Sequence, residues 1–303
     1  MRPLLPRLVM AGLLVTCATA CAGGGDAADG DTATGGTSVS SPPATGDPGP
    51  DTDEDTDAVA AGADAWHGAD GFSSPTGIAF GPDGSVYVSN WSAGTVERIA
   101  ADGTRTTYAE DLGSPAGLAV DAEGDLYVAD YTRDVIVRVS APGEVSEFAS
   151  GFHTPTGINF DPDGNLLVTN RASDEIVRVA PDGGAEVIAR GLHTPVGVAA
   201  NAGGEIFVSN YVGGELSRVT PDGTVETFST DFDGLGVGLV VTGNDELFAV
   251  DRAAGEIKRV DPDGSTEAVL GGLNSPVALG VDVAGVLATA TWGDATLHAV
   301  PLE

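Results

Sequence analysis

From Ser74 onward, short apolar runs alternate with polar turns in a pattern that copies itself. The first copy reads SPTGIAFGPDGSVYVSNWSAGTVERIAADGTRTTYAEDLG and the second SPAGLAVDAEGDLYVADYTRDVIVRVSAPGEVSEFASGFH. Gly77, Gly117, Gly157 and Gly197 fall 40 residues apart, Gly238 follows at 41, and Ala278 takes the same place in a sixth copy. A fixed period of this length marks a fold built from equal units. Each unit holds four runs rich in β-branched and aromatic residues, named strands a to d here; in the first copy they are 77–80, 86–89, 95–99 and 104–108.

The turns between the runs carry their own chemistry. Gly81-Pro82-Asp83-Gly84 separates a from b, and Pro221-Asp222-Gly223 or Pro262-Asp263-Gly264 separates c from d. Proline presets φ, aspartate closes the turn on its own backbone, and glycine takes the positive φ of a tight reversal, so each unit is an antiparallel meander. Runs such as IAF, VYV, LYVA and IFV are apolar at consecutive positions, which requires cover on both faces of the sheet. Units packed side by side round an axis supply that cover. The prediction is an all-β fold, a six-bladed β-propeller of four-stranded antiparallel blades spanning 57–303. The sixth copy stops at Leu302-Glu303 just after its strand c, leaving an edge in need of a partner. The segment 57–67, DAVAAGADAWH, stands where a preceding strand d would be, and is expected to close the ring from the N-terminal side.

Ahead of the repeats, Arg2 and Arg7 precede an apolar run from Leu8 to Val15 that is too short to span a bilayer. Residues 1–21 read as a signal peptide ending in Ala18-Thr19-Ala20-Cys21, which resembles a bacterial lipobox with Cys21 as the lipidated residue; Leu14-Val15-Thr16-Cys17 is a competing box, and simple secretion with cleavage near Ala20 a third reading. With Cys21 lipidated the mature chain has no other cysteine, which excludes disulfides and thiolate metal sites. Residues 22–56 are Gly, Ser, Thr, Pro, Ala and Asp with almost nothing large enough to bury, a tether between membrane and domain. The expected location is the outer face of a bacterial cell membrane.

Charge narrows the partners. Forty-five acidic residues against thirteen basic ones give a net charge of -32, which repels phosphate backbones and excludes nucleic acid as a partner. The acidity suits either plain solubility or a high-salt medium. A monomer is expected, held at the membrane by its lipid.

The pattern P-x-G-[I/L/V]-A-x-D-x-x-G-x-[I/L]-Y-V-A-D, carried by Pro115 to Asp130, resembles the NHL repeat, and the resemblance covers 74–303. The cadence Ile-x-Arg-Val-x-Pro-x-Gly is similar to the virginiamycin B lyase family, and the six-blade count to the senescence-marker/gluconolactonase family. These resemblances imply the propeller fold and leave the activity open. The metal-dependent lactonases hold calcium through Asn or Asp at the x place of P-x-G segments, with a Glu from the first blade. Here those places hold Thr76, Ala116, Thr156, Val196, Val237 and Val277, none of which offers a carboxylate or carboxamide, so no metal or other cofactor is predicted. The lyase chemistry is implied to need paired His and Glu late in the chain, where this chain has Thr291, Trp292 and His298.

Positions filled alike in every copy serve the fold; equivalent positions that differ are the candidates for function. Asn90, Asp130, Asn170, Asn210 and Asp251 end strand b, with Thr291 in the sixth copy, and are read as turn caps acting on backbone two residues on. Arg98, Arg138, Arg178, Arg218 and Arg259 share one place in strand c and are read as ion-pair partners of nearby carboxylates. The residue after the Asx position varies: Trp91, Tyr131, Arg171, Tyr211, Arg252 and Trp292. Strand a and the b–c loops open on one face, so these six should ring one mouth, and aromatics with arginines are the residue types of binding hot spots. His153 and His193, in equivalent GFHTP and GLHTP loops, stand too far apart on neighbouring blades to share a metal. The sequence thus predicts a cell-surface binding or scaffolding propeller holding a small molecule, a glycan or a protein segment at that mouth, with a lactonase-like hydrolase or virginiamycin B lyase-like enzyme as the alternative.

Overall fold

The computed structural model describes residues 65–282 and 284–300. The signal peptide, the lipobox cysteine and the tether predicted above lie outside them. Within them the chain forms six antiparallel sheets, five of four strands and one of three, each a meander in chain order. The innermost strands a are Pro75–Phe80, Pro115–Val120, Pro155–Phe160, Pro195–Ala200, Leu235–Val241 and Pro276–Val281. Successive ones pack on each other in sequence, and the last returns to the first, so the sheets close a six-bladed β-propeller. In the first blade strands a and b run one or two residues beyond the predicted bounds, strand c keeps them and strand d is shifted by one; strand b is Val86–Asn90 because the Asx residue still pairs with strand c through Thr95.

The glycine of each P-x-G segment sits where blades approach most tightly. A Cβ on Gly157 would lie 2.4 Å from the carbonyl oxygen of Val196 and 2.8 Å from Cα of Gly197, both backbone atoms of the next blade. Neither can be moved without shifting a strand. Gly157→Ala is therefore expected to cost about 1–3 kcal/mol, the usual scale of overpacking, read as a lower urea midpoint with an unchanged native spectrum. Hydroxyls at the fourth place of strand b add to this seam. Ser89 accepts the N–H of Gly77 (2.7 Å) and donates to the carbonyl of Ala116 in the next blade (2.7 Å), and Ser209 does the latter toward Gly236 (3.0 Å).

The sixth blade has three strands among the described residues, Pro276–Val281, Leu287–Thr291 and Leu297–Val300. Of the segment 57–67 expected to close the ring, 57–64 lie outside the described residues. Its end forms a turn over 65–68 that clasps strand c of the sixth blade: Gly68 N–H donates to the carbonyl of Leu297 and Leu297 N–H to that of Ala69, each at 2.9 Å. Trp66, 2% exposed, fills the space between the sixth and first blades.

Candidate functional site

Five of the six mouth residues are placed by the backbone just ahead of strand a; in the fifth blade the N–H of Ala253, next to Arg252, donates to the carbonyl of Gly234 (3.3 Å). The N–H of Tyr211 donates to the carbonyl of Thr194 (3.0 Å) and that of Trp292 to Ser275 (3.0 Å); Trp91, Tyr131 and Arg171 do the same toward Ser74, Ser114 and Thr154. Ser74, Thr154, Thr194 and Ser275 hold left-handed φ values of 55–59° although none is a glycine. Such residues cost free energy and persist only where their surroundings fix them, which here means the following proline and the mouth residue's N–H.

The Asx residues lock the same loop from behind. Asn90 accepts the N–H of Ser73 (2.8 Å), Asn210 that of His193 (3.0 Å), and Asp130 those of Gly113 and Ser114. All five, and Thr291, are buried. They are structural caps, as predicted, but their main partners lie 16–18 residues earlier in the chain rather than two residues on. The strand c arginines are ion-paired as expected, Arg98 with Asp83 at 2.7 Å and Arg178 with Asp161 at 3.1 Å, while Arg259 reaches across to Glu267 of strand d at 2.7 Å.

Trp91, Tyr131, Arg171, Tyr211, Arg252 and Trp292 all line one cavity of about 230 Å³ at the axis. Its floor is made by Thr76, Thr156, Val196, Val237 and Val277 from the x places of strand a, and by Gly236, where the fifth blade lacks the proline of the others. The floor residues were legible in the sequence only as places lacking metal ligands; Gly236 carried no signal. The rings touch. Trp91 and Tyr131 lie 4.7 Å apart between centroids at 57°, the Tyr131 hydroxyl accepts a bond from Nη1 of Arg171 (2.7 Å), and the Arg171 guanidinium stands 5.6 Å from the Tyr211 ring. Arg252 stands 5.2 Å from the ring of Trp292, whose Nε1 donates to the carbonyl of Pro75 at 2.9 Å. Among the described residues no carboxylate, histidine or cysteine lines the cavity.

His153 and His193 are both exposed outside it; His193 faces Glu215, Nδ1 to Oε1 2.8 Å. Among the described residues no group of three or more His, Cys, Asp or Glu is placed to hold a metal ion.

Six blades round an aromatic-lined mouth define a β-propeller of the virginiamycin B lyase and gluconolactonase class. The sequence profile of the virginiamycin B lyase family matches residues 66–295, and the chain belongs to that family. A search of curated proteins matches nothing. Among solved structures, virginiamycin B lyase from Staphylococcus aureus is 18% identical with a TM-score of 0.60, covering 76% of this chain and 85% of that one. A catalytically inactive His-to-Ala variant of that lyase with quinupristin matches at 18%, 76%, 85% and 0.59. A gluconolactonase from Xanthomonas campestris is 20% identical with a TM-score of 0.70, covering 77% and 88%. These structural likenesses are of fold.

Proposed function

We propose that this chain is a binding propeller of the cell surface, anchored through Cys21, that holds a small ligand or a protruding side group of a larger one at the aromatic and arginine mouth. The observation behind this reading is the lining: four aromatic rings and two guanidiniums over a floor of Thr, Val and Gly, with no carboxylate, imidazole or thiol among the described residues to act as acid, base or nucleophile there. Tyr211 and Trp292 remain 50% and 41% exposed, flat apolar area open to cover by a ligand. The cavity is smaller than the roughly 300–1,000 Å³ of drug-sized pockets, so it suits a compact molecule or one ring of a larger one.

The family supports a second reading, a virginiamycin B lyase-like enzyme, with a lactonase-like hydrolase as its variant, and two measurements separate the readings. Ligand-observed NMR with a library of aromatic fragments should give binders to the native protein that are lost from a triple variant Trp91→Ala, Tyr131→Ala, Tyr211→Ala with unaltered circular dichroism. Incubation with quinupristin, with or without magnesium or calcium, should leave it unconverted by chromatography. Conversion, or binders that the triple variant retains, would overturn the proposal.

A further inference from the structure

The cations of this chain are scarce against its carboxylates, and the way they are spent is informative. Among the described residues, every arginine other than Arg171 and Arg252 holds a carboxylate oxygen at ion-pair distance, and so does Lys258. In a chain of net charge -32, an arginine without a carboxylate is the exception. Both exceptions line the same cavity, and among the described residues no Asp or Glu lines it with them.

Their surroundings orient them without neutralising them. Arg171 lies between the rings of Tyr131 and Tyr211, 5.9 and 5.6 Å from their centroids, and gives one N–H to the Tyr131 hydroxyl. Arg252 lies over Trp292 and donates to no acceptor among the described residues. Cation–π contact is attractive but leaves the charge and most of the fork of donors available.

The mouth is also divided in composition. Round the ring, blades six, one and two contribute Trp292, Trp91 and Tyr131, three aromatic residues in succession of which Trp91 and Tyr131 are in ring contact. Blades three, four and five contribute Arg171, Tyr211 and Arg252. One half therefore offers flat apolar surface, and the other offers two planar guanidiniums suited to two-pronged bonds with a carboxylate.

Resting on the binding reading above, we propose that the ligand class is a planar aromatic acid, its ring laid against the Trp292–Trp91–Tyr131 arc and its carboxylate held by Arg171 and Arg252. Three probes separate the parts: 2-naphthoate, its neutral counterpart 2-naphthamide, and cyclohexanecarboxylate, an anion without an aromatic ring. By calorimetry 2-naphthoate is expected to bind at least about tenfold more tightly than either, the scale of one charge-assisted hydrogen bond. Arg171→Gln and Arg252→Gln should each weaken 2-naphthoate about tenfold and leave 2-naphthamide unchanged, with Arg171→Lys recovering part of the loss. Equal affinity for 2-naphthoate and 2-naphthamide, or 2-naphthoate binding indifferent to both glutamine variants, overturns the acid assignment while leaving the mouth a binding site. 2-Naphthoate binding that survives replacement of Trp91, Tyr131 and Tyr211 overturns the mouth reading itself, and no 2-naphthoate binding at millimolar concentration overturns the acid assignment.

Discussion

Trp66→Ala should destabilise the domain by about 3–5 kcal/mol, the cost of deleting a buried tryptophan. For a domain of this size that is roughly a 6–20 °C fall in melting temperature, at about 2–4 °C per kcal/mol. The magnitude follows from what Trp66 replaces. The second place of strand b holds Tyr87, Tyr127, Leu167, Phe207 and Phe248 in five blades, but Ala288 in the sixth. In the second blade, Tyr127 packs edge-on against Phe160 of the next blade, centroids 5.3 Å apart. Trp66 meets Phe80 of the first blade in the same manner at 5.7 Å and 64°, and shares a cluster with Ala288, Ala290 and Leu297. A tryptophan brought from before the first repeat thus fills volume that the alanines of the last repeat leave open. Calorimetric scans of the native and Ala variants measure the effect; a shift of less than about 1 °C, a fraction of a kcal/mol on that scale, would show that the seam is held by other contacts.

Asp251→Ala should cost a similar amount, about 3–5 kcal/mol, because it strands a half-hidden ammonium. Asp251 is fully buried and accepts from Nζ of Lys258 (2.9 Å) and from the N–H groups of Asp233 (3.0 Å), Gly234 (3.1 Å) and Ala254 (3.2 Å). Burial opposes its ionisation, but the Lys258 bond and the N–H groups of Asp233 and Ala254 outweigh it and hold the carboxyl below the usual carboxylate range. Lys258 is likewise opposed by burial and raised by Asp251. The signs set a pH window. A depressed carboxyl contributes stability that is present above its unfolded value of about 3.9 and lost as pH falls through the lower folded value. A raised ammonium contributes stability that is present below its unfolded value of about 10.4 and lost as pH rises through the higher folded one. The gap between native and Asp251→Ala proteins should therefore be widest between about pH 4 and pH 10 and narrow on acidification beyond that window. Urea melts at neutral and strongly acid pH test it, and a gap independent of pH would contradict the assignment.

The sequence made the blades and the ring of mouth residues legible for one reason: repetition transposes. Once strand b of one copy is placed, the residue after its Asx is placed in every copy, and Trp91, Tyr131, Arg171, Tyr211, Arg252 and Trp292 converge on one cavity because the blades close in a circle. What stayed hidden depends on contacts between copies. The Asx caps were readable as caps, but their partners stand about 17 residues back because the d–a loop folds over the end of strand b. The Ser89 bridge to the Ala116 carbonyl links residues 27 apart across a seam that no local pattern encodes. The freedom of Arg171 and Arg252 was equally invisible, since it rests on which carboxylates the other arginines take.

Lys258 is the chain's only lysine, and its amine is engaged by Asp251, by the carbonyl of Asp231 at 2.9 Å and, 5.3 Å away, by the ring of Phe232. The folded domain therefore presents no free side-chain amine. Acylating reagents, reducing sugars and lysine-modifying enzymes meet it only as an ammonium held by Asp251 and Asp231, so the rate of covalent capture at this one nitrogen would report how often those contacts release.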